Sequence, residues 1–90
     1  MKKLYEFYFD CGRMGSLEGL FIADDKIVEE SIGKDLYFGE VLGKHSEIFG
    51  PLEESDLKVL SEDSEKIDWL FNLMKGPTVS GYNPFDYIED

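Results

Sequence analysis

The 90-residue chain has one cysteine, one histidine, nine basic side chains and no long apolar run. Each shortage closes off a class of function. The lone Cys11 excludes an internal disulfide framework and suits a reducing compartment. One cysteine and one histidine do not make a zinc site without unusual help from carboxylates. A Cys11–His45 nucleophile pair is conceivable, but an isolated cysteine is more often a small buried hydrophobe, and His45 reads as a loop residue. No stretch reaches transmembrane length, and Glu6 and Asp10 interrupt the apolar segment that a secretory signal needs. The expectation is a cytoplasmic protein with no membrane partner. There is no basic stripe, which opposes nucleic-acid binding.

Ready-made cofactor motifs are missing as well. Gly12-Arg-Met-Gly15 and Gly39-Glu-Val-Leu-Gly43 lack the lysine of a phosphate loop and the spacing of a dinucleotide fold. Glu53-Glu54-Ser55-Asp56 lacks the glycine and spaced ligands of a calcium loop. No pair of carboxylates stands out for acid–base work. The residues give no positive sign of an enzyme, a metal or a cofactor.

Carboxylates are what the chain has in excess. Twenty acids against nine bases leave a formal net charge of −11. The acids are unevenly placed: Lys2, Lys3 and Arg13 against Glu6 and Asp10 leave residues 1–16 at +1, so residues 17–90 carry −12. Such a surface repels nucleic acid and anionic membranes and attracts basic proteins over a distance set by ionic strength. Self-repulsion costs stability, and dimerisation is a natural way to enlarge a small core. The chain is nonetheless built to fold, since 42% of it is apolar and 14% aromatic.

The pattern predicts a single α+β domain: an antiparallel sheet of four or five strands, packed by one main C-terminal helix and one short helix. Leu4 to Asp10 alternates, with Tyr5, Phe7 and Phe9 on one face, and the Cys11–Gly15 turn leads to a second strand over 16–23. Asp24 or Asp25 caps a short helix to about Ile32, stopped by Gly33. A third strand is expected over 35–42, a weaker edge strand over 46–52, and a short one over 57–60. Ser61 reads as the N-cap of a helix over about 62–75, whose Ile67, Leu70, Phe71 and Met74 form a buried stripe widened by Trp69 and Leu73. Lys75-Gly76-Pro77 closes it. Residues 77–90 read as an irregular tail that still holds Val79, Tyr82, Phe85, Tyr87 and Ile88.

Two functional readings follow. In one, carboxylates on rigid elements imitate the phosphates of DNA, whose binders gain affinity by neutralising charge. The candidates are Asp24, Asp25, Glu29 and Glu30 around the first helix, and Glu53, Glu54, Asp56, Glu62, Asp63, Glu65 and Asp68 around the second. Glu62, Glu65 and Asp68 are spaced by three, which aligns them on one helical flank. Helix N-termini favour acids anyway, which accounts for Glu62 and Asp63 but not for Asp68. In the other reading, the charge only solubilises an interaction module that binds through Tyr82, Phe85 and Tyr87 of its tail.

The opening Leu4-Tyr5-Glu6-Phe7-Tyr8-Phe9-Asp10 and the run Tyr37-Phe38-Gly39-Glu40-Val41-Leu42-Gly43-Lys44-His45-Ser46-Glu47, in a small acidic chain, resemble early proteins of T-even-type phages. Among these the chain is most similar to the Arn-like anti-restriction DNA mimics. The resemblance implies a homodimer in the host cytoplasm that blocks a basic DNA-binding host protein, such as a modified-cytosine-specific restriction nuclease or a histone-like nucleoid protein. It brings no catalytic motif, and no residue role is carried over.

Overall fold

The computed structural model describes residues 1–89. Two nine-residue strands form its centre. β1 (Lys2–Asp10) and β2 (Ser16–Asp24) pair antiparallel in one unbroken register, from Lys2 opposite Asp24 to Asp10 opposite Ser16. The turn between them is a short 3₁₀ segment, Gly12–Met14, with the Gly12 N–H donating to Asp10 Oδ1 at 2.9 Å. After β2 come α1 (Asp25–Ser31), β3 (Asp35–Gly39), β4 (Ile48–Pro51), β5 (Leu57–Ser61), α2 (Ser64–Met74) and β6 (Thr78–Gly81). β5 flanks β1 and β6 flanks β2, giving a four-stranded antiparallel sheet of order β5-β1-β2-β6, and β3 and β4 make a separate two-stranded sheet.

Alternation along β1 and β2 decides what lies on each face. Tyr5, Phe7, Phe9, Leu17 and Phe21 point to one side and are buried there, packed with Val28 of α1, Leu36 and Phe38 of β3, Ile48 of β4, and Leu52. The small sheet thus lies over the aromatic face of the large one. Leu4 and Ile22 are opposite each other on the other face. α2 packs there against β1 and β6, with Ile67 buried and the Lys2 ammonium 4.4 Å from the centre of the Phe71 ring.

Residues 77 onward are more ordered than the sequence suggests. They form β6, then a 3₁₀ turn over Pro84–Asp86 whose start is capped by Asn83. Beyond it the Tyr87 carbonyl accepts from the Tyr37 N–H at 2.9 Å, so the chain lies along the outer edge of β3. Its rings join the core: Phe85 meets Phe21 edge-on, and Tyr82 and Tyr87 both contact Phe38. Asp90, the last residue of the expected tail, lies outside the described residues. Two glycines make the β2–β6 approach feasible. A Cβ on Gly19 would stand 2.0 Å from the Tyr82 carbonyl oxygen, and one on Gly81 would stand 2.2 Å from that of Glu18.

Several expected boundaries move. β3 ends at Gly39, where φ reaches +75°, and the segment to His45 is a series of bends rather than strand. The N-cap of α2 is Asp63, not Ser61: its carboxylate accepts from the Glu65 and Lys66 N–H groups, and the Ser61 hydroxyl accepts from the Asp63 N–H. The left-handed residue that ends α2 is Lys75 itself, at φ +58°, one position before the expected glycine. The stripe of α2 is also only partly covered. Ile67 is buried and Leu70 and Phe71 are half-buried, but Met74, Trp69 and Leu73 are exposed. These side chains do not share a core with Phe21 and Phe38, because the sheet lies between them. The face that α2 meets carries Leu4, Leu20 and Ile22, but Glu6, Tyr8 and Glu18 lie among them and are exposed, so its apolar surface covers only part of the stripe. Among the described residues no helix is long and apolar enough to cross a membrane.

Removing packing on the aromatic face should therefore cost more than removing it under α2. Phe38→Ala is expected to destabilise by about 3–5 kcal/mol, and Leu70→Ala by at most about 2 kcal/mol. Gly19→Ala should cost about 2–4 kcal/mol by displacing β6. Urea unfolding of the three variants checks the order, and Leu70→Ala as the costliest would refute this layering.

Candidate acidic surface and the clefts beside it

Lys3 lies at the centre of the charge arrangement. Its Nζ is 2.9 Å from Glu62 Oε1 and 3.6 Å from Asp25 Oδ2, so it joins the start of α1 to the loop before α2. The Glu62 hydrogen bond raises the Lys3 pKa, although burial opposes it. Glu62 thus lies before α2 and is ion-paired. Only Glu65 and Asp68 of the expected three-residue series stand on the helix.

Other candidates hold backbone in place. Asp24 caps α1, accepting from the Lys26 N–H at 2.9 Å and pairing with the Met1 amino group at 3.2 Å. The Lys26 hydrogen bond and that pairing hold its carboxyl below the usual carboxylate value. For Asp25, partial burial pushes upward, but the Met1 amino group and Lys3 outweigh it and the net direction is down. Asp56 accepts from the Glu53 N–H at 3.0 Å and closes the 3₁₀ turn Glu54–Asp56; burial pushes its pKa up. Asp63 caps α2 and has Lys66 Nζ at 3.9 Å. Glu29, Glu30, Glu53, Glu54, Glu65 and Asp68 are exposed and make no ion pair among the described residues.

The fold gathers some of these acids around two open clefts. One, of about 570 Å³, lies between α1 and β5 and brings Asp25 and Glu29 together with Glu54 over a floor of Tyr5, Val28, Leu57 and Val59. The second, of about 480 Å³, lies between the β1–β2 turn and β4, where Glu53 and Asp56 meet Asp10 and Glu47. Asp10 and Glu47 are additions that the sequence reading missed. Asp10 sits in the segment of net positive charge, and Glu47 in a run singled out for other reasons. The signal that marks them is spatial. Glu65 and Asp68 belong to α2, which packs on the opposite sheet face, so the acids form separate groups rather than one continuous patch.

Cys11 is half-buried, its Sγ 3.6 Å from the Phe9 carbonyl oxygen, and burial together with Asp10 pushes its thiol pKa up, which lowers its reactivity. His45 is exposed in the loop at φ +67°. Among the described residues no three His, Cys, Asp or Glu side chains converge closely enough to hold a metal ion.

Asp24 and Asp56 should respond to acid in opposite directions. The depressed Asp24 value means that its contribution is present above the ordinary value of 3.8 and is lost as pH falls through the folded-state value. The raised Asp56 value means that its contribution is present below 3.8 and is lost as pH rises through the folded-state value. Asparagine keeps an acceptor at either position. Relative to wild type, Asp24→Asn should therefore lose its disadvantage toward low pH, and Asp56→Asn should gain stability toward high pH. Urea unfolding between about pH 3 and 6 measures both differences, and parallel profiles would contradict the assigned causes.

Comparison with family models, with curated proteins and with solved structures finds no match to this chain.

Proposed function

We propose that the protein is a non-enzymatic acidic inhibitor that acts as a DNA mimic, occupying the DNA-binding surface of a basic host protein such as a restriction nuclease or nucleoid protein. The observation that carries this reading is the set of exposed carboxylates that have no cationic partner among the described residues: Glu29, Glu30, Glu53, Glu54, Glu65 and Asp68. Helix N-termini favour acids, which accounts for Glu54 and Glu65, but Glu29, Glu30 and Asp68 lie beyond the first turns, where like charges gain no stability from the helix.

Charge density supports the same reading. The molecule is elongated, 43 × 24 × 21 Å, and carries a net −11. That is about one net charge per 4 Å of length, against about 1.7 Å along duplex DNA and about 3.4 Å along one of its strands. The spacing is comparable to that along one strand, summed over acids that lie in separate groups on the two sides of the sheet. On this reading the protein works in the host cytoplasm as a homodimer, and the exposed Trp69 and Leu73 of α2 are apolar surface available to a second copy. The alternative, binding through the aromatic tail, is disfavoured because Tyr82, Phe85 and Tyr87 pack on Phe38 and Phe21 of the same domain.

Capture from bacterial lysate on immobilised protein, followed by a salt gradient, tests the proposal. The retained protein should elute steeply as salt rises and should be displaced by duplex DNA. The double reversal Glu65→Lys, Asp68→Lys should lower its retention by about tenfold without unfolding α2, since both lie off the buried side of the helix. Retention indifferent to both salt and DNA would refute mimicry.

A further inference from the structure

β5 is an edge strand. It pairs with β1 on one side, and among the described residues no further strand of the sheet lies beyond it. Its side chains alternate, so Leu57 and Val59 face the cleft against α1 while Lys58 and Leu60 face the other way. Val59 and Leu60 are both exposed. An open edge with apolar side chains invites an added strand unless charge forbids it.

The adjoining cleft says which strand. Its floor is apolar, from Val28, Leu57, Val59 and Ile32, and its rim holds Asp25, Glu29 and Glu54. Lys3, the cation present there, is already engaged by Asp25 and Glu62. Tyr5 supplies a second, independent feature. It is 5% exposed and its ring stacks on Phe21 at 5.3 Å, while its hydroxyl, which still reaches solvent, forms no hydrogen bond to the protein among the described residues. That hydroxyl belongs to the cleft, close enough to Lys3, Asp25 and Glu29 to feel their charges. A long aliphatic stem ending in a cation matches the apolar floor, the acidic rim and the unpartnered hydroxyl together.

We infer that the α1–β5 cleft and the free edge of β5 form one docking site for an extended basic segment of a partner protein, which adds as a strand to β5 and places a lysine or arginine side chain between Glu29 and Glu54, the two rim carboxylates that make no ion pair among the described residues. Main-chain pairing supplies affinity and the cleft supplies selectivity for the cation. A second copy of this chain is the wrong occupant, because pairing β5 with β5 brings two sets of these carboxylates together. The site is independent of any imitation of DNA, so the lysate experiment and the one below can fail separately.

The test is a titration of the full chain with a short, end-blocked peptide alternating lysine and valine, followed by backbone amide shifts and hydrogen exchange. Shifts should concentrate on residues 57–61 and the cleft, and amides of β5 should exchange more slowly when the peptide is bound. Replacing the peptide's lysines by glutamine should weaken binding by at least about tenfold, and this arm does not depend on any variant folding. Glu29→Lys with Glu54→Lys should do the same. Tyr5→Phe, which keeps the stacked ring, should weaken binding about threefold to tenfold with an unchanged unfolding midpoint. Glu18→Lys with Glu40→Lys, an equal change in net charge away from the cleft, should have little effect. Equal loss in that control, shifts centred elsewhere, or β5 protection that grows with protein concentration alone would each overturn the proposal.

Discussion

Phe38 is the contact on which the remaining packing depends. Its ring touches Phe7 and Phe9 of β1, and Tyr82 and Tyr87 of the C-terminal segment, so one side chain of the small sheet ties three parts of the chain together. Aromatic pairs of this kind add modest specific energy to a large burial term. In a chain with net charge −11, that cover must also outweigh self-repulsion. Once the small sheet and the terminal segment occupy the aromatic face, α2 is left the opposite one. Its half-covered stripe follows from this, as do the exposed Trp69 and Leu73.

The same layering sorts the carboxylates by role. Those near strand ends and helix starts stabilise the fold: Asp24 and Asp63 cap helices, Asp56 closes a turn, and Asp25 and Glu62 share Lys3. Those on exposed helix and turn surfaces, such as Glu29, Glu30 and Asp68, make no ion pair among the described residues. Lys3 is pivotal because it is the cation that couples α1 to the loop ahead of α2 while bordering the β5 cleft. On the readings proposed above, the diffuse field over the molecule's full length would act on any basic protein, whereas the cleft would select one cation in one geometry.

Much of the fold was legible in the residues. The alternation of Tyr5, Phe7 and Phe9 marks β1 and its buried face, and Gly12 and Gly15 mark the turn that follows. Asp24 or Asp25 was readable as a cap, which the structure resolves as Asp24, and Ile67 as the buried side of α2. The C-terminal segment was less legible. Its spacing shows no period, because its rings are held by contacts with Phe21 and Phe38, far away in sequence, and by a backbone bond to Tyr37. The stripe of α2 misled in the opposite sense. Helical periodicity records which side is apolar but not how much apolar surface the facing sheet offers.

What the sequence by itself determined is local or additive: strand and helix identity, through side-chain period and capping chemistry, and net charge, which is a sum over residues. What only the tertiary structure decided is pairwise and long-range. It placed Gly19 against the Tyr82 backbone, set Asp10 and Glu47 beside Glu53, gave Glu62 to Lys3, and left the Tyr5 hydroxyl in a cleft beside an open edge. The physical reason is that period and propensity act within a few residues, whereas burial, ion pairing and cleft formation depend on which faces meet after the chain has crossed itself.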